Sequence, residues 1–428
     1  MRIVLKGKET ITMNKIDNSF NESVSTFVTE SGLYTYIIHH PGFKRSAAVY
    51  GTPFGALNIQ QRKDGEIIEH KKGVQHFLEH KLFEDEDGDI LSQFAAMGAS
   101  GNAFTSYEQT FYYFGHNGSI EAPLSLLLDF VSSFTVTADS VEKEKGIIVE
   151  EMKMYEQRPI TRLINETYRN ALHQFPFIYD IVGTEESINA TTLEDLRKAY
   201  DLNYNDSRMV LAIVTPEDPE VVKEIVERKT KNHIKVESQV EDVYPDEPLE
   251  VKHTRREIFE NVETPKMSLS FKLPYTGTSL QKEEFLFDML LEMNFSELNP
   301  HYQTWLDEGA ISHSFAYGTE VQNTFVLITF FNEGTEYARF EEIIIDQMVH
   351  LIADQEQFDQ LKKRYYGEMV MSLSNADDLA VNVAREHFQE MHYFGFLSMV
   401  QALTFEDILE IKDKVKTDNS SFLLMSQN

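Results

Sequence analysis

Two hydrophobic periods alternate along the first half of the chain. Apolar alternation, as in half-buried strands, occurs in the segments 34–38 and 47–50, and the segments 102–105 and 110–114 are also predicted to be strands. Apolar residues recur at helical spacing in the longer segments 73–83, 120–134 and 139–157. The nearly continuous apolar run at 209–214 is typical of a buried strand. This alternation of strands and helices predicts an α+β fold.

One short pattern occurs twice, half a chain apart. Residues 192–196, Thr-Leu-Glu-Asp-Leu, return at 404–408 as Thr-Phe-Glu-Asp-Ile, an offset of 212 positions (404 minus 192), and an apolar strand follows each copy. We therefore expect two copies of one α+β unit, with a chance match over about a dozen positions as the alternative. A polar, acidic segment with two prolines separates the copies. The predicted division is a domain at 13–232, an acidic linker at 233–250 and a homologous domain at 251–428.

Composition limits the chemistry that the chain can carry. Its 428 residues include 39 Lys or Arg against 70 Asp or Glu, a net charge of −31, which argues against nucleic acid as a partner. The absence of cysteine excludes disulfides, thiolate metal sites and a thiol nucleophile. Any bound metal must therefore be held by histidine and carboxylate side chains.

The sequence predicts a cytoplasmic protein with no membrane partner. No apolar run approaches the roughly 18 residues that a membrane-spanning helix needs. The basic start is followed by too short an apolar run for a signal peptide. Residues 6–9 can be encoded by a purine-rich run like a bacterial ribosome-binding site, so we expect Met13 to be the natural start.

The strongest candidate for chemistry is the segment His76-Phe-Leu-Glu79-His80. Residues four apart share one face of a helix, so His76 and His80 can bind one metal ion while Glu79 lies beside them. A solvated His/Glu helix face is the alternative interpretation. A catalytic zinc site needs a third protein ligand as well, and in a chain without cysteine we expect that ligand to be a carboxylate.

Candidates for the third ligand lie on the predicted helix at 139–157. This segment carries Glu144, Glu150 and Glu151, and two isoleucines lie between the first and the last of them. Residues seven apart share a helix face, so carboxylates and isoleucines lie side by side. This arrangement is unusual for a solvated helix and favours packing of that edge toward a buried ion.

Three sequence blocks together resemble the insulinase/pitrilysin family of zinc peptidases, which includes mitochondrial processing peptidase. The blocks are the His-x-x-Glu-His segment, residues 102–114 and residues 144–152, and they occur in the family's order. The resemblance is dense over 73–158 and diffuse elsewhere. It implies two homologous α/β-sandwich domains that form a clam-like half-shell, the metalloprotease LuxS/processing-peptidase-like fold.

The resemblance also implies roles for individual residues. His76, His80 and Glu151 would bind one Zn²⁺ per chain, and Glu79 would be the general base. Glu144 matches an acid that supports the metal site. Glu150 is the competing ligand by adjacency, but it would point about 100° away on the helix.

The block at 102–105 has a further implied role. Asn102, Ala103, Phe104 and Thr105 match the edge strand onto which peptide substrates add as an extra strand. An ordinary turn and strand is the alternative for these residues. The implied activity is that of a zinc endopeptidase, which hydrolyses peptides or small unfolded polypeptides in an enclosed chamber.

The second half departs from the family's catalytic pattern. At the offset of 212, Asp288 and Glu292 stand where the first half has histidines, so no metal site is expected there. Single-chain family members carry an Arg and a Tyr, seven residues apart, that reach the substrate. Asp307 and His313 stand near those places here.

This departure implies a partner subunit. We expect a heterodimer in which the present chain brings zinc and a homologous subunit, lacking His-x-x-Glu-His, brings the Arg and Tyr. The alternative is a homodimer or a self-sufficient chain in which Arg255, Arg256 or Tyr317 substitutes. Two other functions also stay open, a non-catalytic assembly member of the same family and a zinc hydrolase of non-peptide substrates.

Overall fold

The computed structural model describes residues 12–85, 88–236, 239–275, 277 and 279–427. Residues 6–9, on which the prediction of Met13 as the natural start depends, lie outside these ranges. No helix in the described part of the chain is long and apolar enough to cross a membrane.

The first half contains two sheets, a short hairpin and eight α-helices within the described ranges. Its strands are β1 (Asn14–Ile16), β2 (Ser23–Val28), β3 (Tyr34–His39), β4 (Ser46–Thr52), β5 (Gln60–Lys63), β6 (Glu66–Glu69), β7 (Glu84–Asp85), β8 (Gly88–Asp89), β9 (Ala99–Thr105), β10 (Thr110–His116), β11 (Val210–Thr215) and β12 (Val240–Asp242). Its helices are α1 (Val74–Leu82), α2 (Ile90–Ala96), α3 (Glu121–Val131), α4 (Ala138–Glu156), α5 (Pro159–Ala171), α6 (Glu185–Ala190), α7 (Leu193–Asn203) and α8 (Pro219–Thr230).

The second half contains one sheet and seven described α-helices. Its strands are β13 (Arg255–Glu260), β14 (Lys266–Pro274), β15 (Ala316–Val321), β16 (Phe325–Glu333) and β17 (Ser420–Gln427). Its helices are α9 (Leu280–Phe295), α10 (Tyr302–Asp307), α11 (Tyr337–Val349), α12 (Gln355–Ser372), α13 (Ala376–His387), α14 (Tyr393–Ala402) and α15 (Phe405–Lys414).

The two main sheets share one topology, which confirms the predicted pair of α/β units. Five strands of the first sheet follow the order β3-β11-β4-β10-β9, and the second sheet follows the order β13-β17-β14-β16-β15. In each sheet the first two of these strands are parallel and every later pair is antiparallel. The repeated segment begins a helix in both halves, because Thr192 and Thr404 each form a capping box at the start of α7 and α15.

One helix from each half packs on the main sheet of the other half. Helix α13 packs on β4 and β11 of the first sheet, and α5 packs on β14 and β17 of the second. Apolar residues of α13, among them Leu379 and Val383, form one buried cluster with sheet residues such as Val49 and Ala212. The two sheets are therefore covered on both faces, and the halves share a common apolar interface.

The predicted linker at 233–250 has structure of its own. Strand β12 pairs with β5. Farther along, Glu247 is fully buried and accepts hydrogen bonds from the main-chain N–H groups of His173, Gln174 and Phe175. The buried ammonium of Lys272 donates to the same carboxylate at 2.6 Å. These contacts fix the segment against both halves, and the domain boundaries stay predictions.

Candidate metal centre and active site

The helix that carries the His-x-x-Glu-His segment begins at a tight contact between two chain segments. Gly73, the residue before α1, has φ +80°, and a Cβ there would lie 2.1 Å from the carbonyl oxygen of Val182. Only glycine fits such a position without displacing the neighbouring backbone. The start of α1 is thereby fixed, and its apolar residues Val74, Phe77 and Leu78 are buried in the core.

Three side chains converge where α1 crosses α4. The Nε2 atom of His80 lies 3.3 Å from Oε2 of Glu151, and the Nε2 atom of His76 lies 3.8 Å from the same oxygen. One ligand atom from each of the three residues lies within 4.8 Å of the others. A tetrahedral zinc with Zn–N distances near 2.0–2.1 Å separates its ligand atoms by about 3.3 Å. The three side chains therefore fit a zinc ion with small adjustments.

The structure brings Glu151, and not Glu150, to the histidines. The Glu151 side chain is 23% exposed, whereas that of Glu150 is 77% exposed and pairs with Lys153 on the outer face of α4. The helical rotation between adjacent residues is the cause, because it turns the two carboxylates about 100° apart.

Glu144 lies behind the histidine pair. Its Oε1 atom is 3.0 Å from Nδ1 of His80, and its side chain is 7% exposed. Accepting the Nδ1 proton orients the imidazole and directs Nε2 toward Glu151, as outer carboxylates do at zinc sites. The hydrogen bond from His80 holds the pKa of Glu144 well below its usual range.

The two histidines have opposite pKa shifts. Burial, aided by the nearby His80, lowers the pKa of His76 to about 4, so its imidazole is neutral at pH 7. Burial also acts to lower the pKa of His80, but the hydrogen bonds to Glu144 and Glu151 outweigh it and raise that pKa to about 9. A metal bound at Nε2 of His80 would compete with a proton, so binding should release that proton.

Lys81 is a member of this site that sequence reasoning missed. Its side chain is 0% exposed, and its Nζ atom lies 3.4 Å from Oε2 of Glu144 and forms an ion pair with Glu84. A lysine in an amphipathic helix usually lies in solvent, so the sequence carries no signal of its burial. The ammonium offsets the charge of Glu144 in a region where water does not screen it.

Glu79 points from α1 toward strand β9. The hydroxyl of Thr105, the last residue of β9, donates a hydrogen bond of 2.6 Å to Oε2 of Glu79. Burial raises the pKa of Glu79, and the hydrogen bonds from the hydroxyl and main-chain N–H of Thr105 oppose that shift. The carboxylate thus lies beside the two histidines, at the end of a strand.

That strand, β9, lies at the edge of the first sheet, and among the described strands it pairs only with β10. Ser106 and Gln109 form a hydrogen-bonded pair that closes the hairpin, and along β9 and β10 hydrogen-bonded and non-hydrogen-bonded pairs alternate from there. Ala103 falls in a non-hydrogen-bonded pair, so its main-chain N–H and C=O point outward, away from β10. The side-chain oxygen of Asn102 accepts a 2.9 Å hydrogen bond from that outward N–H of Ala103. Phe104 packs edge-on against Phe111 of β10. The free edge passes within hydrogen-bonding distance of Glu79 at Thr105.

The corresponding helices of the second half are joined by an ion pair. Glu292 of α9 accepts hydrogen bonds from both the Arg364 guanidinium and the Tyr365 hydroxyl of α12. Asp288, one turn earlier on α9, has a pKa raised to about 6, with burial as the main cause. Among the described residues the only candidate metal cluster is the one in the first half.

Two family models match successive parts of the chain. The insulinase model (Peptidase family M16) matches residues 64–180, which include all the site residues described above in the first half. The model of the peptidase M16 inactive domain matches residues 190–365.

Individual proteins show the same similarity. The uncharacterized zinc protease YmfH of Bacillus subtilis (strain 168) is 31% identical over 397 residues, which cover 91% of this chain and 93% of YmfH. A probable mitochondrial-processing peptidase subunit beta from Schizosaccharomyces pombe is 26% identical over 44% of this chain and 40% of its own length. The crystal structure of an M16-like peptidase from Alicyclobacillus acidocaldarius superposes with a TM-score of 0.88 at 28% identity, covering 97% of this chain and 100% of that one.

Proposed function

Because the chain belongs to the insulinase family (peptidase family M16), we propose that it is a zinc-dependent endopeptidase acting on peptides and small unfolded polypeptides. The observation that carries this proposal is the convergence of His76, His80 and Glu151 around a common point, with Glu79 beside them. An assembly member of the family would have no need of Glu79, so its presence favours catalysis.

In this proposal His76, His80 and Glu151 hold one zinc ion, and Glu144 keeps His80 in the orientation and tautomer that binding requires. Zinc, when bound, supplies a Lewis acid that lowers the pKa of water and polarises the scissile carbonyl. Glu79 takes the proton of the attacking water and returns it to the leaving amine.

Strand β9 supplies the peptide-binding edge. Its outward main-chain groups, among them those of Ala103, can hydrogen bond with an extended peptide, which would replace the side chain of Asn102 at the Ala103 N–H. An extended backbone is required for this pairing. Short peptides should therefore be cut, and a stable folded protein should be cut far more slowly.

A homologous partner subunit completes the proposal. The three residues that could replace the missing Arg and Tyr are engaged in other contacts. Arg255 pairs with Glu341, and Arg256 pairs with Glu166, both on the sheet edge opposite β15. Tyr317 packs among aromatic rings of the second core. These contacts support an Arg and Tyr supplied in trans, by a subunit without His-x-x-Glu-His.

Hydrolysis of a quenched peptide library by the purified chain, alone and together with a homologue encoded by a neighbouring gene, tests this function. We expect chelator-sensitive cleavage that zinc restores and that the homologue strongly increases. Hydrolysis that persists in excess chelator would refute the zinc mechanism. Full activity of the chain alone, unchanged by the homologue, would refute the partner.

A further inference from the structure

We infer that Thr105 is a positioning residue for the general base, because its hydroxyl holds the Glu79 carboxylate in one orientation. Strand β9, which would bind the peptide, would then also orient the base. This inference rests on the proposed function. It differs from the sequence-based expectation, in which Thr105 acts on the substrate only.

The contact has the geometry of a strong hydrogen bond. The distance of 2.6 Å between Thr105 Oγ1 and Glu79 Oε2 lies in the range of hydroxyl bonds to a carboxylate. No other side chain of the described residues hydrogen bonds to Glu79. The carboxylate is thus oriented from one direction, by one residue.

Thr105 is free to give its proton to Glu79. The nearest competing hydroxyl is that of Thr110 in β10, 3.4 Å away. Thr110 has one hydroxyl proton and donates it at 2.8 Å to the main-chain oxygen of Phe54. A carboxylate oxygen at 2.6 Å is a stronger acceptor than a neutral hydroxyl at 3.4 Å, so the hydroxyl of Thr105 donates to Glu79.

The support behind the hydroxyl is rigid. Threonine is branched at Cβ and has few χ1 positions open to it. Thr105 lies opposite Thr110 in a paired strand, next to a two-residue hairpin closed by Ser106 and Gln109. Glu79, in contrast, has three rotatable side-chain bonds, and a displacement of about 1 Å at a reacting group can cost about 100-fold in rate.

Substitution with an isosteric side chain tests the role. Thr105→Val removes the hydroxyl and keeps the shape. We expect kcat on a quenched peptide to fall by about 10- to 100-fold, as part of the 100- to 10,000-fold that a general base contributes. We expect KM to change by less than about twofold and zinc content to stay at one per chain. Thr105→Ser should recover most of the lost rate.

The matched control is Thr319→Val, the same substitution on β15, the edge strand of the second sheet. It should leave kcat within about twofold of the unmodified chain. An unchanged kcat in Thr105→Val, a change confined to KM, or loss of zinc would each overturn the inference. If Thr105→Val does not fold, Thr105→Ala is measured with the same criteria.

A measurement without activity separates this inference from the proposed function. In the metal-free protein, the unfolding midpoints of Thr105→Val, Glu79→Ala and the double variant form a cycle. We expect the two shifts to be non-additive, because each substitution removes the same contact. Additive shifts would refute the contact between Thr105 and Glu79. If the shifts are non-additive but the chain hydrolyses no peptide, the contact stands and only the proposed peptidase function is refuted.

Discussion

Replacement of Glu144 by glutamine should weaken zinc binding without touching a ligand. Glu144→Gln keeps the size of the side chain but removes the charge that accepts the Nδ1 proton of His80 at 3.0 Å. Because the carboxylate is only 7% exposed, water cannot replace that interaction. Outer-sphere substitutions of this kind typically lower metal affinity 10- to 100-fold. That range corresponds to about 1.4 to 2.7 kcal/mol.

Glu144→Gln should also lower the stability of the protein. The ammonium of Lys81 is 0% exposed and has Glu84 and Glu144 as its partners. Loss of one partner at a buried charge typically costs about 1–3 kcal/mol of stability. We therefore expect the unfolding free energy of the metal-free protein to fall as well.

Competition with a chromogenic chelator measures the zinc dissociation constant, and urea unfolding measures the stability. Glu150→Gln is the matched control, because Glu150 is the same residue type on the same helix but 77% exposed. It should leave both quantities nearly unchanged. Equal zinc affinity in Glu144→Gln and the unmodified chain would refute the orienting role. A large loss of zinc in Glu150→Gln would show that the wrong glutamate has been assigned as ligand.

Three further changes test other parts of the fold. Lys272→Met removes the cation that pairs with the fully buried carboxylate of Glu247 and should cost roughly 3 kcal/mol in urea unfolding. Lys266→Met, at a partly exposed ion pair, should cost less than about 1 kcal/mol. Gly73→Ala should lower both the unfolding midpoint and the zinc affinity, because its Cβ would lie 2.1 Å from a carbonyl oxygen. The control is Gly65→Ala, at φ +84° with no atom within 4 Å of the added Cβ. It should lower the unfolding free energy by only about 1–2 kcal/mol and leave zinc affinity unchanged. Burial lowers the pKa of His387 from 6.5 to about 4, so the unfolded chain binds more protons between these values and stability falls as pH drops through this window. The unmodified protein should lose about 1–2 kcal/mol more than His387→Gln between pH 7 and pH 5, and parallel pH profiles would contradict this.

The candidate metal site was open to prediction because most of it is local. His76, Glu79 and His80 lie on one short helix, where residue spacing alone fixes which side chains are neighbours. The choice of Glu151 over Glu150 followed from helical rotation together with family resemblance. The predicted adjacency of isoleucines and carboxylates on α4 was only half right, since Ile148 is buried but Ile147 is 58% exposed.

The parts that the sequence did not predict depend on contacts distant in sequence. The burial of Lys81 requires Glu144, 63 positions away, and the bond between Thr105 and Glu79 joins a strand end to a helix. The packing of α5 and α13 on each other's sheets depends on how two apolar surfaces fit, which no local pattern encodes. The duplication itself was visible, because the repeated capping segments of α7 and α15 are local signals.

The substitution Glu79→Gln tests the central claim most directly. It removes the proposed base and leaves His76, His80 and Glu151 in place. Zinc content and peptide hydrolysis should be measured on the same preparation, with the homologous subunit present. We predict one zinc per chain and loss of hydrolysis by at least about 100-fold. Zinc-loaded Glu79→Gln with full activity would contradict the account.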